Sequence, residues 1–304
     1  MRMYMGNPGL VLIAVFAFTN LSYSQINGFV YEDKNENGSF DYNELSLSGI
    51  VVTDGFKVVK TDKKGQFVLP ENPIARFISI TTPSGYKHTT RFYQTIGADM
   101  LTFGLKKINQ QAKKFIQVTD MHAGRLDNWV GNLKQYVKNN DVDFIVLTGD
   151  FARKYGMDLY ALEVTDETMG SRVVYTIGNH DLVKGDYGEQ YFENKFGPVY
   201  YSFDVGNTHF IVTPMLKGDV KPSYDTTQIL NWLQKDIEMQ PKDKPLVIFN
   251  HDNWLWDEEC VVRGSEKSID FKNYNLKAFI YGHFHMQFTT TFENGIKIYT
   301  TSTL

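Results

Sequence analysis

Four short runs constrain this chain more than any other feature. "FIVL" (144–147), "VVY" (173–175), "LVIF" (246–249) and "AFIY" (278–281) are apolar without interruption. An unbroken apolar strand suits a sheet covered on both faces, as parallel strands usually are. Helix-like spacing separates such runs: "LDNWVGNLKQYVKNN" repeats Leu126, Val130, Leu133 and Val137, and "DLYALEVTDETMG" reads as one further helix. Alternating β and α predicts a mainly parallel sheet with helices packed on it.

Each run stops in polar groups. "FIQVTDMH" ends in Asp120 and His122, "FIVLTGD" in Asp150, and "VVYTIGNHD" in Asn179, His180 and Asp181. "PLVIFNHD" ends in His251, and "KAFIYGHFH" in His283 and His285. Taken singly, a strand-end Asp is a helix cap, a lone His a surface residue and "GD" a turn. Together they converge, because ligands of open α/β sheets bind beyond the carboxyl ends of the strands. Five of the seven histidines sit at such ends; His88 and His209 do not. Read as extended segments, His283 and His285, like Asp120 and His122, point to one side at i, i+2. Imidazole and carboxylate without thiolate are ligands that Zn, Fe and Mn accept.

The ordered series "DMH", "GD", "GNHD", a strand-end His and "GHFH" resembles that of the calcineurin-like metallophosphoesterases, over about 110–304. The resemblance implies two packed mixed β-sheets flanked by helices. It implies that Asp120, His122 and His285 bind one metal, that Asn179, His251 and His283 bind a second, and that Asp150 bridges them. His180 would be the leaving-group acid, with Asp181 holding its ring. Two cations roughly 3.5–4 Å apart can hold the attacking and leaving oxygens of an in-line displacement, with a metal-bridging hydroxide as nucleophile. Two departures accompany it: "DNWLW" follows His251 where a small or proline-containing turn is common, and the chain stops at Leu304, where relatives with an N-terminal β-domain continue into a C-terminal one.

Residues 25–107 have a different rhythm. "INGFVYE", "GIVVTDG", "FKVVKTD", "GQFVLP", "FISITTP" and "DMLTFGLKK" are short strands separated by turn residues, the pattern of a small all-β sandwich. Within it, "DKNENGSFDYNE" places Asp33, Asn35, Asn37, Asp41 and Glu44 at positions 1, 3, 5, 9 and 12 of a calcium-type loop, with Gly38 at 6. The flanks are strands, so this is no EF-hand; the alternative is a solvated acidic turn. The region resembles the N-terminal domain of some secreted metallophosphoesterases. The polar "INQQAKK" (108–114) marks the join to a second domain over 108–304.

Residues 1–24 read as a signal peptide: Arg2, an apolar "LVLIAVFAF" too short to span a bilayer, and "SYS" before Gln25. The expectation is export to the periplasm, cell surface or medium, with no membrane span after cleavage; the alternative is an uncleaved anchor. A net charge of −4 offers no footprint for nucleic acid. Cys260 stands alone and reads as a packing residue, Trp232 as helix core and His209 as structural. Trp254 and Trp256 are candidates for a substrate wall, Arg125 and Arg153 for phosphate clamps. The expected function is an exported dinuclear phosphoesterase acting on a phosphomonoester or phosphodiester of a small molecule, glycan or lipid, with Mn, Fe or Zn. The competing one is a non-catalytic surface or glycan-binding protein that keeps the fold as a scaffold.

Overall fold

A computed structural model describes residues 24–97, 100–110, 114–122 and 128–303. Residues 1–23 of the expected signal peptide, Arg125 and Leu126 lie outside them. Nine strands come first: β1 (Gln25–Glu32), β2 (Leu45–Ser46), β3 (Val51–Thr53), β4 (Val58–Lys60), β5 (Gln66–Pro70), β6 (Phe77–Ile80), β7 (Tyr86–His88), β8 (Tyr93–Thr95) and β9 (Leu101–Lys107). One sheet runs β2-β1-β9-β7 with β5 also on β1, and the other runs β4-β3-β6-β8. Alternation decides their facing sides: in β5, Phe67 and Leu69 turn inward while Gln66 and Val68 stay exposed. They meet Val30, Phe103 and Leu105 of their own sheet and Val52, Ile78 and Ile80 of the other.

The rest is α/β. Its elements are β10 (Phe115–Val118), α1 (Trp129–Asn139), β11 (Phe144–Leu147), α2 (Arg153–Glu163), α3 (Asp166–Met169), β12 (Arg172–Tyr175), α4 (Gln190–Phe196), β13 (Tyr201–Val205), β14 (Thr208–Val212), α5 (Thr226–Glu238), β15 (Leu246–Phe249), β16 (Val261–Arg263), β17 (Ser268–Asp270), β18 (Leu276–Tyr281), β19 (Phe288–Thr291) and β20 (Lys297–Thr300). Strands β10-β11-β12 form a parallel sheet. The second sheet runs β13-β14-β15-β18-β20-β19, parallel from β14 to β20 and antiparallel at both ends.

The two sheets pack face to face, and the apolar runs show why. Phe144, Val146 and Val174 turn toward Phe203, Phe210, Phe249 and Ile280 of the other sheet. Their alternates Ile145, Leu147 and Val173 turn outward, into the core that holds Leu133 and Val137 of α1 and Met157 and Tyr160 of α2. On the far side α5 buries Ile229, Leu230, Trp232 and Leu233. The expected helix in "DLYALEVTDETMG" is two helices. Thr165 breaks it, its side chain accepting from the Thr168 N–H at 3.2 Å, so an N-cap starts α3 there.

The β-sandwich is joined to this unit. The Asp204 N–H donates to the Thr82 carbonyl (2.9 Å), the Lys60 Nζ to the Met239 carbonyl (2.7 Å) and the Lys235 Nζ to the Phe56 carbonyl (2.8 Å). His209 is structural, as expected: its Nδ1 lies 2.8 Å from Asp204 Oδ1 and its Nε2 2.9 Å from Asp236 Oδ2. No helix among the described residues is long and apolar enough to cross a membrane.

Candidate metal centre

The carboxyl ends of β10, β11, β12, β15 and β18 bring seven side chains together. Asp120, His122 and His285 form one group able to hold a cation, and Asp150, His251 and His283 a second. His122 Nε2 faces His285 Nε2 at 3.0 Å, and Asp120 Oδ1 lies 3.3 Å from His285 Nε2. In the second group His251 Nε2 lies 3.2 Å from Asp150 Oδ2 and 3.1 Å from Asn179 Oδ1. Asp120 Oδ1 and His251 Nε2 are 3.9 Å apart, so the groups adjoin.

Backbone contacts aim these groups. Asp120 Oδ2 accepts from the Thr119 hydroxyl (2.8 Å) and the His283 N–H (2.9 Å), while Asp150 Oδ1 accepts from the His180 N–H (3.0 Å). Nδ1 of His251 donates to the Thr148 carbonyl at 2.6 Å, so Nε2, the atom that faces the cluster, is the one a metal would take. A Cβ at Gly178 would run into the Asp150 carboxylate, so only glycine admits that carboxylate.

The extended i, i+2 geometry expected for the paired ligands is not what occurs. His283 (φ 74°) and His285 (φ 52°) are both left-handed, as are Asp120 (φ 51°), His122 (φ 30°) and Asp150 (φ 59°). Strand β18 has ended at Tyr281, and the tight turns that follow send His285 to the first group and His283 to the second.

Asp181 does not hold the His180 ring. It is fully buried, and its carboxylate accepts from the N–H groups of Asp150, Phe151 and Gly178 (2.9 Å each). It therefore clamps the turn that carries Asp150. The partner of His180 is Asp219, with both carboxylate oxygens 3.1 Å from Nδ1. Asp219 sits in "KGD" on an irregular stretch, and no motif or strand end marked it. Arg153, largely exposed, reaches Asp219 Oδ2 at 3.4 Å.

Burial works to raise the Asp150 carboxyl, but His251 and the His180 N–H outweigh it and hold it below the usual carboxylate range. Burial, reinforced by the charge of Asp150, pushes Asp181 upward. For His251, burial is outweighed by Asp150 and Asp120, and its pKa rises. Desolvation lowers His122, and desolvation with the neighbouring His251 lowers His283, which favours the neutral imidazole that ligation requires.

The residues fit a pair of cations. Asp120 Oδ1 is buried and has no hydrogen-bond partner, while imidazole nitrogens face it from both groups. A buried carboxylate oxygen left bare is costly unless something positive meets it. The set of imidazole, carboxylate and one amide oxygen suits borderline divalent metals.

Two other expectations meet different fates. Trp254 is nearly buried, 6.3 Å from Phe279, and forms no wall; Trp256 is exposed, 5.6 Å edge-on to Phe284, which lies between His283 and His285 in the chain. In the acidic loop, buried Asp33 accepts from the N–H groups of Asn37 (3.2 Å) and Gly38 (2.9 Å). Glu44 accepts from those of Lys34 (2.8 Å) and Asp41 (3.0 Å), and Asp41 from the amides of Asn35 (2.8 Å) and Asn37 (2.9 Å). The five side chains share one loop held by its own donors.

Residues 34–108 match the family model described as N terminal of calcineurin-like phosphoesterase, and residues 113–287 the model of calcineurin-like phosphoesterase itself. No curated protein matches the chain. Similar solved structures include a dimetal phosphatase from Danio rerio (13% identity, TM-score 0.45, covering 64% of this chain and 88% of that one). Others are the phosphopantetheinyl hydrolase from Mycobacterium tuberculosis (15%, 0.41, 62% and 89%) and a purple acid phosphatase from yellow lupin, Lupinus luteus, seeds (14%, 0.47, 86% and 58%). With the phosphoesterase model spanning more than half its length and two groups of metal-ligating side chains at its strand ends, the chain belongs to the calcineurin-like phosphoesterase family.

Proposed function

We propose that this protein is an exported hydrolase of phosphate esters that works with two transition-metal ions (Mn, Fe or Zn). The observation that carries the proposal is the bare, buried Oδ1 of Asp120 between imidazoles of two adjoining ligand groups. In this reading Asp120, His122 and His285 hold one ion, Asn179, His251 and His283 the other, and Asp150 serves both. Bound there, the pair supplies Lewis acidity to phosphoryl oxygens and brings a water's pKa toward neutrality.

The chain's own groups do the rest. Asp219 holds Nδ1 of His180, which leaves Nε2 free to deliver a proton to the departing alkoxide. Arg153 stands beside this pair as a guanidinium for a phosphoryl oxygen. Asp181 and the His180 N–H fix the Asp150 carboxylate before substrate arrives, so no reorganisation is needed at the moment of reaction. In the β-domain, the loop from Asp33 to Glu44 binds calcium and stabilises that domain.

The test uses the chain from Gln25, stripped of metal and resupplied with Mn²⁺, Zn²⁺ or Fe²⁺. Hydrolysis of p-nitrophenyl phosphate and bis-p-nitrophenyl phosphate is followed, with Asp150→Asn as the blank. Metal-restored turnover that the variant lacks supports the proposal, and the ratio of the two rates separates monoester from diester. Two bound ions without turnover on any ester would favour the scaffold function instead. Export is tested by the N-terminal mass of the chain recovered outside the cytoplasm, expected to begin at Gln25.

A further inference from the structure

The stretch between β14 and α5, residues 213–225, contains neither helix nor strand, yet it delivers Asp219 to His180. Side chains and close backbone packing hold it. Asn250 Nδ2 donates to the carbonyls of Thr213 (3.2 Å) and Pro214 (3.1 Å), and the Tyr224 hydroxyl donates to the Met215 carbonyl (2.7 Å), closing its base. The Asp219 N–H donates to the Asn179 carbonyl at 3.0 Å, and Gly218 lies so close to Asn179 that a Cβ there would collide with its backbone. Near the far end, Ser223 gives its N–H to Glu189 Oε2 (3.1 Å) and its hydroxyl to Glu189 Oε1.

Glu189 is fully buried, and its cation comes from the other domain. Arg76, the residue before β6, places Nη2 2.8 Å from Glu189 Oε1. The same guanidinium forks onto Glu193, with Nε at 2.7 Å from Oε2 and Nη2 at 2.8 Å from Oε1. Its Nη1 donates to Ser223 Oγ at 3.1 Å, and its plane lies 4.3 Å over the Tyr187 ring. One planar guanidinium thus satisfies two buried carboxylates and the strap's serine, which a lysine's point charge cannot do.

We propose that Arg76 is a positioning residue for His180: the β-domain, through Arg76, Glu189 and Ser223, sets the strap that aims Asp219 at the His180 ring. The proposal rests on the reading of His180 as leaving-group acid. Without Arg76 two neighbouring carboxylates would stay buried and unpaired, which the fold avoids by letting Glu189 swing out or take a proton. A swing breaks both bonds to Ser223, and a proton weakens them by turning one accepting oxygen into a donor. A drift of roughly half an ångström then carries the His180–Asp219 hydrogen bond beyond useful range.

The experiment compares p-nitrophenyl and phenyl esters of the same phosphate, in full-length protein with metal content measured. The p-nitrophenolate departs with little help, whereas phenolate needs the acid. Arg76→Lys and Ser223→Ala should each lower kcat on the phenyl ester by ~10-fold and on the p-nitrophenyl ester by less than ~2-fold, a fraction of what a general acid contributes. Arg76→Lys added to Asp219→Asn should cost the phenyl ester nothing further. Equal falls on both esters, or additive losses in the double variant, would overturn the proposal; should Arg76→Lys fail to fold, Ser223→Ala decides alone. The control is His180→Gln. Equal falls there would sink the acid reading and the proposal with it, whereas a selective loss there with equal falls for Arg76→Lys and Ser223→Ala would sink the proposal only.

Discussion

Nδ1 of His251 lies 2.6 Å from the carbonyl oxygen of Thr148, so the imidazole is held by the end of a neighbouring strand with Nε2 turned to the ligand cluster. Replacing His251 should therefore remove a ligand without disturbing Asp120, His122 and His285. His251→Ala is expected to hold about one transition-metal ion per chain where the parent holds two, by metal analysis after dialysis. Its turnover should drop by ~10²-fold or more, the scale of losing one preorganised electrostatic group.

Asp181→Ala should fail differently. Removing this carboxylate strands the N–H groups of Asp150, Phe151 and Gly178 in a buried site. With each stranded donor costing about 1–3 kcal/mol, the urea-unfolding free energy should fall by about 3 kcal/mol or more. A variant of unchanged stability would show that the clamp matters less than its geometry implies.

The pH dependence of stability should carry the mark of His209. Burial works to lower its pKa, but Asp236 and Asp204 outweigh it and push it up to about 9, from an ordinary 6.5. A group whose folded pKa is raised stabilises fully below its unfolded pKa, and that stabilisation disappears as pH rises through the folded value. Between pH 6.5 and about 9 the protein should lose stability on the order of 3 kcal/mol, and His209→Gln should flatten that decline. Unfolding by urea at pH 6, 7.5 and 9 decides it.

Calcium should raise the melting temperature of the parent chain and leave Asp33→Ala/Glu44→Ala unmoved. At calcium about ten times the dissociation constant the gain is ~1.4 kcal/mol, readily seen in a thermal scan. Activity per folded molecule should be unchanged, because the loop belongs to the β-domain. If calcium does nothing to the parent, the loop is a turn satisfied by its own N–H groups.

Much of this was legible in sequence because two requirements coincide there. A strand buried on both faces must be apolar throughout, so "FIVL" and "LVIF" announce themselves, and the polar residues that end them stand out. The sandwich was legible from "QFVLP", whose alternation survives as Phe67 and Leu69 inward. Strands β7 and β8, "YKH" and "YQT", were not, since three half-polar residues carry no period. Asp219 was invisible for the same reason: an irregular strap has no rhythm, and its partner lies far away in the chain. The role of Asp181 was misread because the resemblance implied that it holds the His180 ring, while the turn aims the carboxylate backward onto backbone N–H groups. The left-handed ligands escaped notice because Asp and His give little local sign of such a backbone, where glycine would.

That backbone makes a further demand. Asp120, His122, Asp150, His283 and His285 all occupy a region where glycine rests at ease and a side chain costs roughly 1 kcal/mol or more. At His122, His283 and His285 the polypeptide would relax by discarding the very group that can grip a cation, whereas at Asp120 and Asp150 the N–H groups their carboxylates accept from would be stranded and offset the relief. A lineage released from its chemistry should therefore drift toward glycine at these three histidines and become sturdier as it falls silent, so that tolerance to heat and competence in turnover pull in opposite directions at the same three positions.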